Sequence, residues 1–373
     1  MATNNAPSKV KVGIIGCGNI SPRYVDGCRL FDILDVVACA DLYPENAERL
    51  AVDKGIQARS IEALLGDPEI QIVINLTIPA VHAEVSQQII AAGKHVHTEK
   101  PLAVSREDGR SVLAAAKEKG VRVGAAPDTF LGGALQTARK LIDDGWIGEV
   151  VGATTFMMNP GPELWHPNPG FLYDVGAGPL FDMGPYYLTA LVHLLGPVSR
   201  VAGMSRITHP ERIAQSKERF GERIPVKAPT YTSGTLQFAS GPIGNIMTTF
   251  DGWYSNVPHI EIYGSQGTLW APDPNWFGGE VKVRRARDEE WRSFPLTHSD
   301  KVKRGIGAAD LAYGAAYGRP HRASGDLAYH VLDIMHAIEE SAQNGRHIDL
   351  NSQCERPAML PLGLLPGRLD GAA

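Results

Sequence analysis

The chain has 373 residues, of which 43% are hydrophobic and 21% charged, proportions typical of a globular enzyme. The formal net charge is −5 and no block of lysine or arginine stands out, which argues against a nucleic-acid partner. No stretch reaches the roughly 18 apolar residues of a membrane-spanning helix, and no secretory signal pattern is evident. The four cysteines lack metal-binding or redox spacing, so we expect reduced thiols and a cytoplasmic protein.

Strand-like and helix-like patterns alternate over the first third of the chain. Apolar runs typical of buried strands lie at residues 10–15, 35–40, 70–76, 95–98 and 121–125. Helical patterns separate them at residues 44–54, 80–92 and 106–119. The alternation predicts an α/β Rossmann domain, with a doubly wound parallel sheet, over residues 1–126.

The pattern changes after this domain. Strand-like segments follow at residues 150–158, 198–207, 231–239, 243–251, 259–263 and 281–286. We expect only two helices among them, one beginning near Pro179 and one at residues 326–344. Because few helices intervene, the sheet should be mainly antiparallel. Residues 127–373 are therefore predicted to form an α+β domain for substrate binding and oligomerisation.

A glycine-rich turn follows the first predicted strand directly. Gly16 and Gly18 would let the backbone turn tightly and approach a pyrophosphate near Asn19 and Ile20, at the N-terminus of the next helix. Ser21 replaces the third glycine of the usual fingerprint, and a purely structural turn is the alternative. The position between a strand and a helix favours dinucleotide binding.

Asp41 ends the second predicted strand, where a carboxylate can accept a hydrogen bond from the ribose 2′-hydroxyl of NAD. The same carboxylate would repel a 2′-phosphate, and Leu42 and Tyr43 supply no cation beside it. NAD is therefore favoured over NADP as the cofactor. The alternative for Asp41 is a turn or helix-capping role.

Glu99, Lys100 and Pro101 follow another predicted strand, at the edge of the sheet where ligands bind in open α/β folds. Pro101 biases Lys100 toward an extended backbone, which gives the lysine a defined direction. A solvated surface lysine is the alternative.

Together these motifs resemble the glucose-fructose oxidoreductase/inositol dehydrogenase/rhizopine-catabolism family, abbreviated Gfo/Idh/MocA. The matching segments are residues 16–20, residues 75–79 with His82, residues 99–101, residues 142–148 and residues 176–186. The resemblance implies a two-domain subunit, a nicotinamide cofactor, pyranose or cyclitol substrates, and a homodimer or homotetramer built on the second sheet. It also implies that the cofactor is contacted by Thr77, Pro79, His82, Glu99 and Lys100.

The segment at residues 176–186 departs from the family pattern at one position. Many relatives have Asp-x-Gly-x-His, whose histidine acts on the substrate hydroxyl; here Asp182 is kept and Tyr186 takes the histidine position. The spacing puts both side chains on one helical face, provided that Gly184 and Pro185 do not break the helix. An ammonium group can lower the pKa of a tyrosine phenol, so we expect Tyr186 to be the acid/base and Lys100 its partner and substrate anchor. Asp182 would orient the lysine or bind a substrate hydroxyl. The alternative for Tyr186 is a core aromatic.

A loop at residues 161–173 is rich in proline and aromatic residues, whose rings can pack against a sugar. We expect Trp165, His166 and Tyr173 to contact the substrate, with a hydrophobic plug or a subunit contact as the alternative. Asp128, just past the first domain's last strand, is expected to be a further substrate contact. The histidines show no ligand spacing, so no metal is expected.

These expectations predict an NAD-dependent oxidation of a secondary alcohol on a sugar, glycoside or cyclitol. One alternative is a glycoside-cleaving enzyme that oxidises a ring carbon transiently and then returns the hydride. Another is an NAD-binding regulator without catalysis, which should lack the lysine and its proton partner. Lys100 and Asp182 together argue against the regulator.

Overall fold

The computed structural model of the chain describes residues 9–370, which form two compact units. The first unit comprises the described residues through Gln136, Leu296–Leu332, and the residues from Pro357 onward. The second comprises Thr137–Pro295 and Asp333–Arg356. Each unit contains one large sheet.

The first unit is built on a six-stranded sheet in which every strand pair is parallel. Its strands are β1 (Val10–Ile15), β2 (Leu34–Ala40), β3 (Gln57–Ala58), β4 (Ile70–Asn75), β5 (His95–Thr98) and β6 (Val123–Ala125). Their order, β3-β2-β1-β4-β5-β6, reverses direction at β1, and ligands of such sheets bind beside that switch point. The predicted doubly wound sheet is confirmed.

Helices connect the strands of this sheet. They are α1 (Ser21–Cys28), α2 (Pro44–Lys54), α3 (Ile61–Gly66), α4 (His82–Ala91) and α5 (Arg106–Lys119). Helix α6 (Gly133–Asp143) follows β6 and continues into the second unit. Local sequence sets their ends: the Ser105 side chain accepts from the N–H of Asp108 to begin α5, and Gly120, at φ 71°, ends it. The short β3 and α3 carry too little pattern to be predicted from sequence.

The second unit contains a nine-stranded sheet of order β16-β15-β14-β13-β7-β12-β11-β8-β17. All neighbours are antiparallel except β12 and β7, which confirms the predicted mainly antiparallel sheet. Its strands are β7 (Val150–Met158), β8 (Val198–Arg206), β11 (Tyr231–Phe238), β12 (Ile243–Thr249), β13 (Ile260–Gly264), β14 (Gly267–Ala271), β15 (Val281–Arg285), β16 (Arg292–Phe294) and β17 (Ile348–Asp349). A separate hairpin pairs β9 (Glu211–Ile213) with β10 (Arg223–Pro225).

One face of this sheet packs on helices. The helices are α7 (Gly178–Asp182), α8 (Gly184–Leu195) and the later part of α10 (Gly325–Asn344). A Cβ on Gly203 of β8 would lie 2.4 Å from the carbonyl oxygen of Ile338, and one on Gly234 of β11 would lie 3.0 Å from its side chain. These two glycines therefore let α10 approach the sheet closely.

Helix α9 (Ile306–Tyr317) belongs to the first unit, although all of residues 127–373 are predicted from the sequence to form the second domain. The nine residues from Ile306 to Gly314 are all buried, so the helix lacks the one-sided periodicity by which a surface helix is recognised. A Cβ on Gly325 would lie 3.0 Å from Val123 of β6, so the start of α10 also packs there. The division follows packing rather than chain order.

Within residues 9–370, no helix is both long and apolar enough to cross a bilayer. Over the same residues, no three His, Cys, Asp or Glu side chains are grouped so as to hold a metal ion.

Candidate nucleotide-binding and catalytic site

The predicted phosphate turn lies between β1 and α1. Gly16 has φ 98°, and a Cβ there would lie 2.6 Å from the carbonyl of Leu76, so only glycine fits. A Cβ on Gly18, by contrast, would have no neighbour within 4 Å. The first glycine therefore makes the turn, and the second leaves open space above it.

The turn presents backbone donors at the start of α1. The N–H groups of Gly18, Asn19 and Ile20 make no hydrogen bond within the described residues, and no side chain caps the helix. The Ser21 hydroxyl instead donates to the Gly18 carbonyl oxygen at 2.7 Å, which braces the turn. Unpaired N–H groups at a helix N-terminus are the donors that a pyrophosphate needs, so these residues fit a dinucleotide.

Asp41 follows β2 beside this turn. Its Oδ2 accepts from the Cys17 N–H at 2.6 Å, and its Oδ1 accepts from the Tyr43 N–H at 2.9 Å and the Asn46 side chain at 3.3 Å. The carboxylate is therefore part of the local turn, which is the alternative role predicted for Asp41. Oδ2 accepts only one of these bonds and has a second lone pair, so the group can still accept from a ribose hydroxyl.

His82 is held between two backbone segments. Its Nε2 lies 2.9 Å from the Thr77 carbonyl oxygen and its Nδ1 lies 2.8 Å from that of Pro101. Burial lowers the pKa of this histidine, although both carbonyls favour its protonation. Because both ring nitrogens face protein carbonyl oxygens, His82 connects the loop after β4 to the loop after β5. The predicted contact between His82 and the cofactor would therefore have to be made by the carbon atoms of the ring.

Buried Asn75 organises the loop after β4. Its side-chain amide donates to the His82 carbonyl and the Ser86 hydroxyl, and its oxygen accepts from the N–H and hydroxyl of Thr77. Thr77 and Pro79 therefore lie in a preorganised loop, near the Gly16 turn.

Lys100 lies directly after β5, in a segment fixed by Glu99. The Glu99 N–H donates to the Asn75 carbonyl at 2.8 Å, and Glu99 Oε2 accepts from the Lys100 N–H at 3.0 Å. The peptide bond between Lys100 and Pro101 is cis. The lysine backbone is thus placed at the same edge of the sheet as the phosphate turn.

Asp128, predicted as a substrate contact, has a different role in the structure. It is fully buried, and its Oδ2 accepts from the N–H groups of Gly305 and Gly307 at 2.9 and 3.0 Å. The carboxylate therefore caps the N-terminus of α9. The sequence could not show this role, because the helix lies about 180 positions further along the chain.

Asp182 and Tyr186 lie in the second unit on two different helices. α7 ends at Asp182 and α8 begins at Gly184, with Met183 between them. The continuous helix that the spacing required is therefore interrupted at Met183, because Pro185 has no N–H with which to continue α7. Asp182 is partly exposed, whereas Tyr186 is buried in the first turn of α8.

The three predicted contacts in the loop at residues 161–173 differ sharply. Trp165 is 69% exposed and forms an edge contact with His166, which forms another with Phe171. Tyr173 is fully buried, and its hydroxyl donates to Glu163. Tyr173 therefore anchors the loop, whereas Trp165 and His166 remain candidates for substrate contact.

An ionic cluster that the sequence did not reveal holds this loop. Arg212 of β9 donates to Glu163 at 3.2 Å and also to Asp251, whose second oxygen accepts from Thr230 at 2.8 Å. The guanidinium lies 5.8 Å from the centre of the Tyr173 ring. The partners are far apart in sequence and share no motif, so no local signal could have identified them.

Comparison with known proteins agrees with this geometry. Residues 10–126 match the oxidoreductase family with an NAD-binding Rossmann fold, and residues 135–270 match the Gfo/Idh/MocA C-terminal domain. The chain belongs to the Gfo/Idh/MocA oxidoreductase family. It is therefore an enzyme with an NAD-binding Rossmann domain, as the motifs predicted.

Individual relatives extend over most of the chain. A 1,5-anhydro-D-fructose reductase of Ensifer adhaerens is 28% identical over 91% of this chain and 98% of its own length. A dTDP-3,4-didehydro-2,6-dideoxy-alpha-D-glucose 3-reductase of Actinomadura kijaniata is 30% identical over 70% of this chain and 74% of its own length. A levoglucosan dehydrogenase structure, in complex with NADH and L-sorbose, superposes with a TM-score of 0.78 at 24% identity, covering 92% of this chain and 99% of that one.

Proposed function

We propose that this chain is an NAD-dependent dehydrogenase that oxidises a secondary alcohol of a sugar, glycoside or cyclitol. The observation that carries the proposal is the placement of Lys100 beside the phosphate turn, on a backbone fixed by Glu99. A lysine held at that edge can donate a hydrogen bond to a substrate hydroxyl as well as contact the nucleotide. The relatives are named as reductases or dehydrogenases of sugars, and these names support a sugar-like substrate.

In the proposed mechanism, bound NAD supplies the hydride acceptor. Lys100 binds the substrate hydroxyl and orients it. Tyr186 removes the hydroxyl proton as the hydride leaves the same carbon, and Asp182 binds a neighbouring hydroxyl or orients the lysine. Trp165 and His166 are proposed to contact the sugar ring. Lys100 lies in the first unit and the other four in the second, so their meeting is part of the proposal.

A screen of sugars, glycosides and cyclitols with NAD⁺ and NADP⁺ tests the reaction, read as reduced nicotinamide. With the substrate found, Lys100→Met should lower kcat by about a thousandfold while NAD⁺ binds as before. Lys119→Met, on the exposed end of α5, is the matched control. Near-normal turnover by Lys100→Met or Tyr186→Phe would remove these residues from the mechanism. Release of an aglycone without accumulation of reduced nicotinamide would indicate glycoside cleavage instead.

The preference for NAD over NADP is proposed to rest on Asp41. Its carboxylate is fixed by the Cys17 and Tyr43 N–H groups and cannot turn away from a 2′-phosphate. Asp41→Asn should therefore lower the NAD⁺/NADP⁺ ratio of kcat/KM by about tenfold, because one charge-assisted hydrogen bond and one repulsion are lost. Asp53→Asn, on the exposed side of α2, should leave the ratio unchanged.

We also propose a homodimer or homotetramer formed through the open face of the nine-stranded sheet. Met204, Ser233, Met247 and Phe156 are cross-strand neighbours in one row, so their side chains share a face. Met204 is 80% exposed. Light scattering should show an oligomer that Met204→Lys weakens, whereas Val52→Lys on α2 should leave the mass unchanged. A monomeric parent protein would exclude the assembly.

A further inference from the structure

A hydrogen bond joins the helix after the phosphate turn to the segment that carries Lys100. Tyr24, on α1, is fully buried, and its hydroxyl donates to Glu99 Oε1 at 2.8 Å. The other oxygen of the same carboxylate accepts from the Lys100 N–H. Glu99 thus bridges α1 and the lysine backbone with its two oxygens.

The position of Tyr24 makes this bridge sensitive to the phosphate turn. The residue lies in the first turn of α1, whose N-terminus presents the unpaired N–H groups of Gly18, Asn19 and Ile20. An anion bound there would fix the start of the helix. Any shift of that first turn moves the phenol, and the phenol moves Glu99.

The phenol acts as a donor toward Glu99. Burial raises the pKa of Tyr24, and the nearby carboxylates of Glu99 and Asp128 raise it further, so the hydroxyl keeps its proton. The ring also lies 6.5 Å from the ring of His97, which is fully buried. His97 and α1 therefore restrict Tyr24 to one position, from which it reaches Glu99.

The space around His97 is itself shaped by two glycines. A Cβ on Gly124 would lie 2.9 Å from Nδ1 of the imidazole, and one on Gly307 would lie 2.6 Å from Cε1. Neither glycine has a positive φ, so close packing against the imidazole accounts for both. The two glycines thus let the backbone pack closely against His97, which lies beside the Tyr24 ring.

We propose that Tyr24 and Glu99 are positioning residues whose hydrogen bond transmits occupation of the phosphate turn to the backbone of Lys100. Cofactor binding then tightens the lysine segment before substrate arrives. The kinetic consequence rests on the proposed function, because it requires Lys100 to act on the substrate. The structural consequence does not, because it concerns the backbone of the protein without substrate.

Hydrogen–deuterium exchange of the full-length protein tests the coupling directly. In the parent protein, saturating NAD⁺ should slow exchange of the peptide that spans residues 96–103. Tyr24→Phe removes only the donor; it should speed exchange of this peptide roughly tenfold without NAD⁺ and abolish the slowing by NAD⁺. Tyr329→Phe, which loses a hydroxyl bonded to Arg110 in the same unit, should behave as the parent.

Glu99→Gln provides a second variant that leaves Tyr24 in place. Its amide can meet only one of the two donors with its oxygen, so exchange at residues 96–103 should again rise, even if Tyr24→Phe fails to fold. Unchanged exchange and unchanged slowing by NAD⁺ in folded Tyr24→Phe or in Glu99→Gln would overturn the proposal.

Kinetics separate this proposal from the proposed function. With a substrate in hand, Tyr24→Phe should lower kcat roughly tenfold and change the KM for NAD⁺ less than about twofold. Failure to find any oxidised sugar, with the exchange effects present, would reject the proposed function and keep the coupling. A normal kcat in Tyr24→Phe would reject the kinetic consequence.

Discussion

The loops of the first unit and the loop at residues 161–173 of the second are fixed by different forces. After β4 and β5, one carboxylate and several neutral groups, among them Asn75 and His82, bind backbone atoms. In the second unit, one guanidinium holds two carboxylates, those of Glu163 and Asp251. Hydrogen bonds to backbone fix a chain path, whereas a buried charge cluster is stable only while every charge is matched.

This contrast affects how much stability each region loses when one residue is substituted. A neutral network loses its hydrogen bonds one at a time, each at modest cost. Removal of the central charge from an ionic cluster leaves two buried carboxylates uncompensated. We therefore expect the loop at residues 161–173 to be more sensitive to a single substitution than the loops after β4 and β5. The acid sensitivity expected of the first unit has a separate cause, its buried histidines.

Arg212→Met should have the largest effect on stability. It leaves Glu163 and Asp251 buried without their cation, and the free energy of unfolding should fall by about 3 kcal/mol or more. Arg219→Met, which breaks an exposed pair with Glu222, should cost less than about 1 kcal/mol. Urea denaturation measures both. Equal effects would show that the cluster is not buried in solution.

Tyr173→Phe should have the next largest effect, because the phenol donates to the buried Glu163 carboxylate. A loss of about 2 kcal/mol is expected, with Arg212 still neutralising the charge. Tyr254→Phe, at a ring that is 96% exposed, is the control and should leave the melting temperature unchanged. If Tyr173→Phe melted with the parent protein, the loop anchor would be wrongly assigned.

Acid should destabilise the first unit through His97. Burial lowers the pKa of this histidine below that of the unfolded chain, so below about pH 6.5 the unfolded state binds a proton that the folded state does not. The stabilising effect of keeping His97 neutral is therefore fully present above that pH. Below it, the free energy of unfolding falls as the pH decreases, by at most about 1.4 kcal/mol per pH unit for this group.

His97→Leu measures this contribution. The variant should show a shallower loss of unfolding free energy between pH 6.5 and pH 5.5, by about 1 kcal/mol. His347→Gln, at an exposed position, should keep the slope of the parent protein. Burial also lowers the pKa of His82, His95 and His321, the last to about 4, and these groups would account for the acid sensitivity if the His97 variant retained it.

Cofactor chemistry in the first unit could be read from the sequence because its signals are local. The turn at Gly16 follows β1 directly, and Lys100 follows β5, so chain order alone places both at one edge of a parallel sheet. The same local motifs predicted the NAD-binding domain and carry the resemblance to the family. It did not find Tyr24, because a tyrosine inside a helix carries no motif.

Roles that depend on distant partners could not be read in this way. Asp128 was expected to meet substrate, yet it caps α9, which follows about 180 residues later. Helix α9 itself escaped prediction because its first nine residues are all buried, and a stretch without a polar face has no period to detect. The break at Met183 likewise required the backbone path around Pro185.

The sequence by itself determined the sheet of the first unit, the phosphate turn and the positions of Asp41 and Lys100, since each rests on residues adjacent in the chain. Tertiary structure alone decided the assignment of α9 to the first unit, the anchoring of Tyr173 and the bridge from Tyr24 through Glu99 to Lys100. Those features depend on which distant surfaces exclude water together, and packing of that kind leaves no local pattern in the chain.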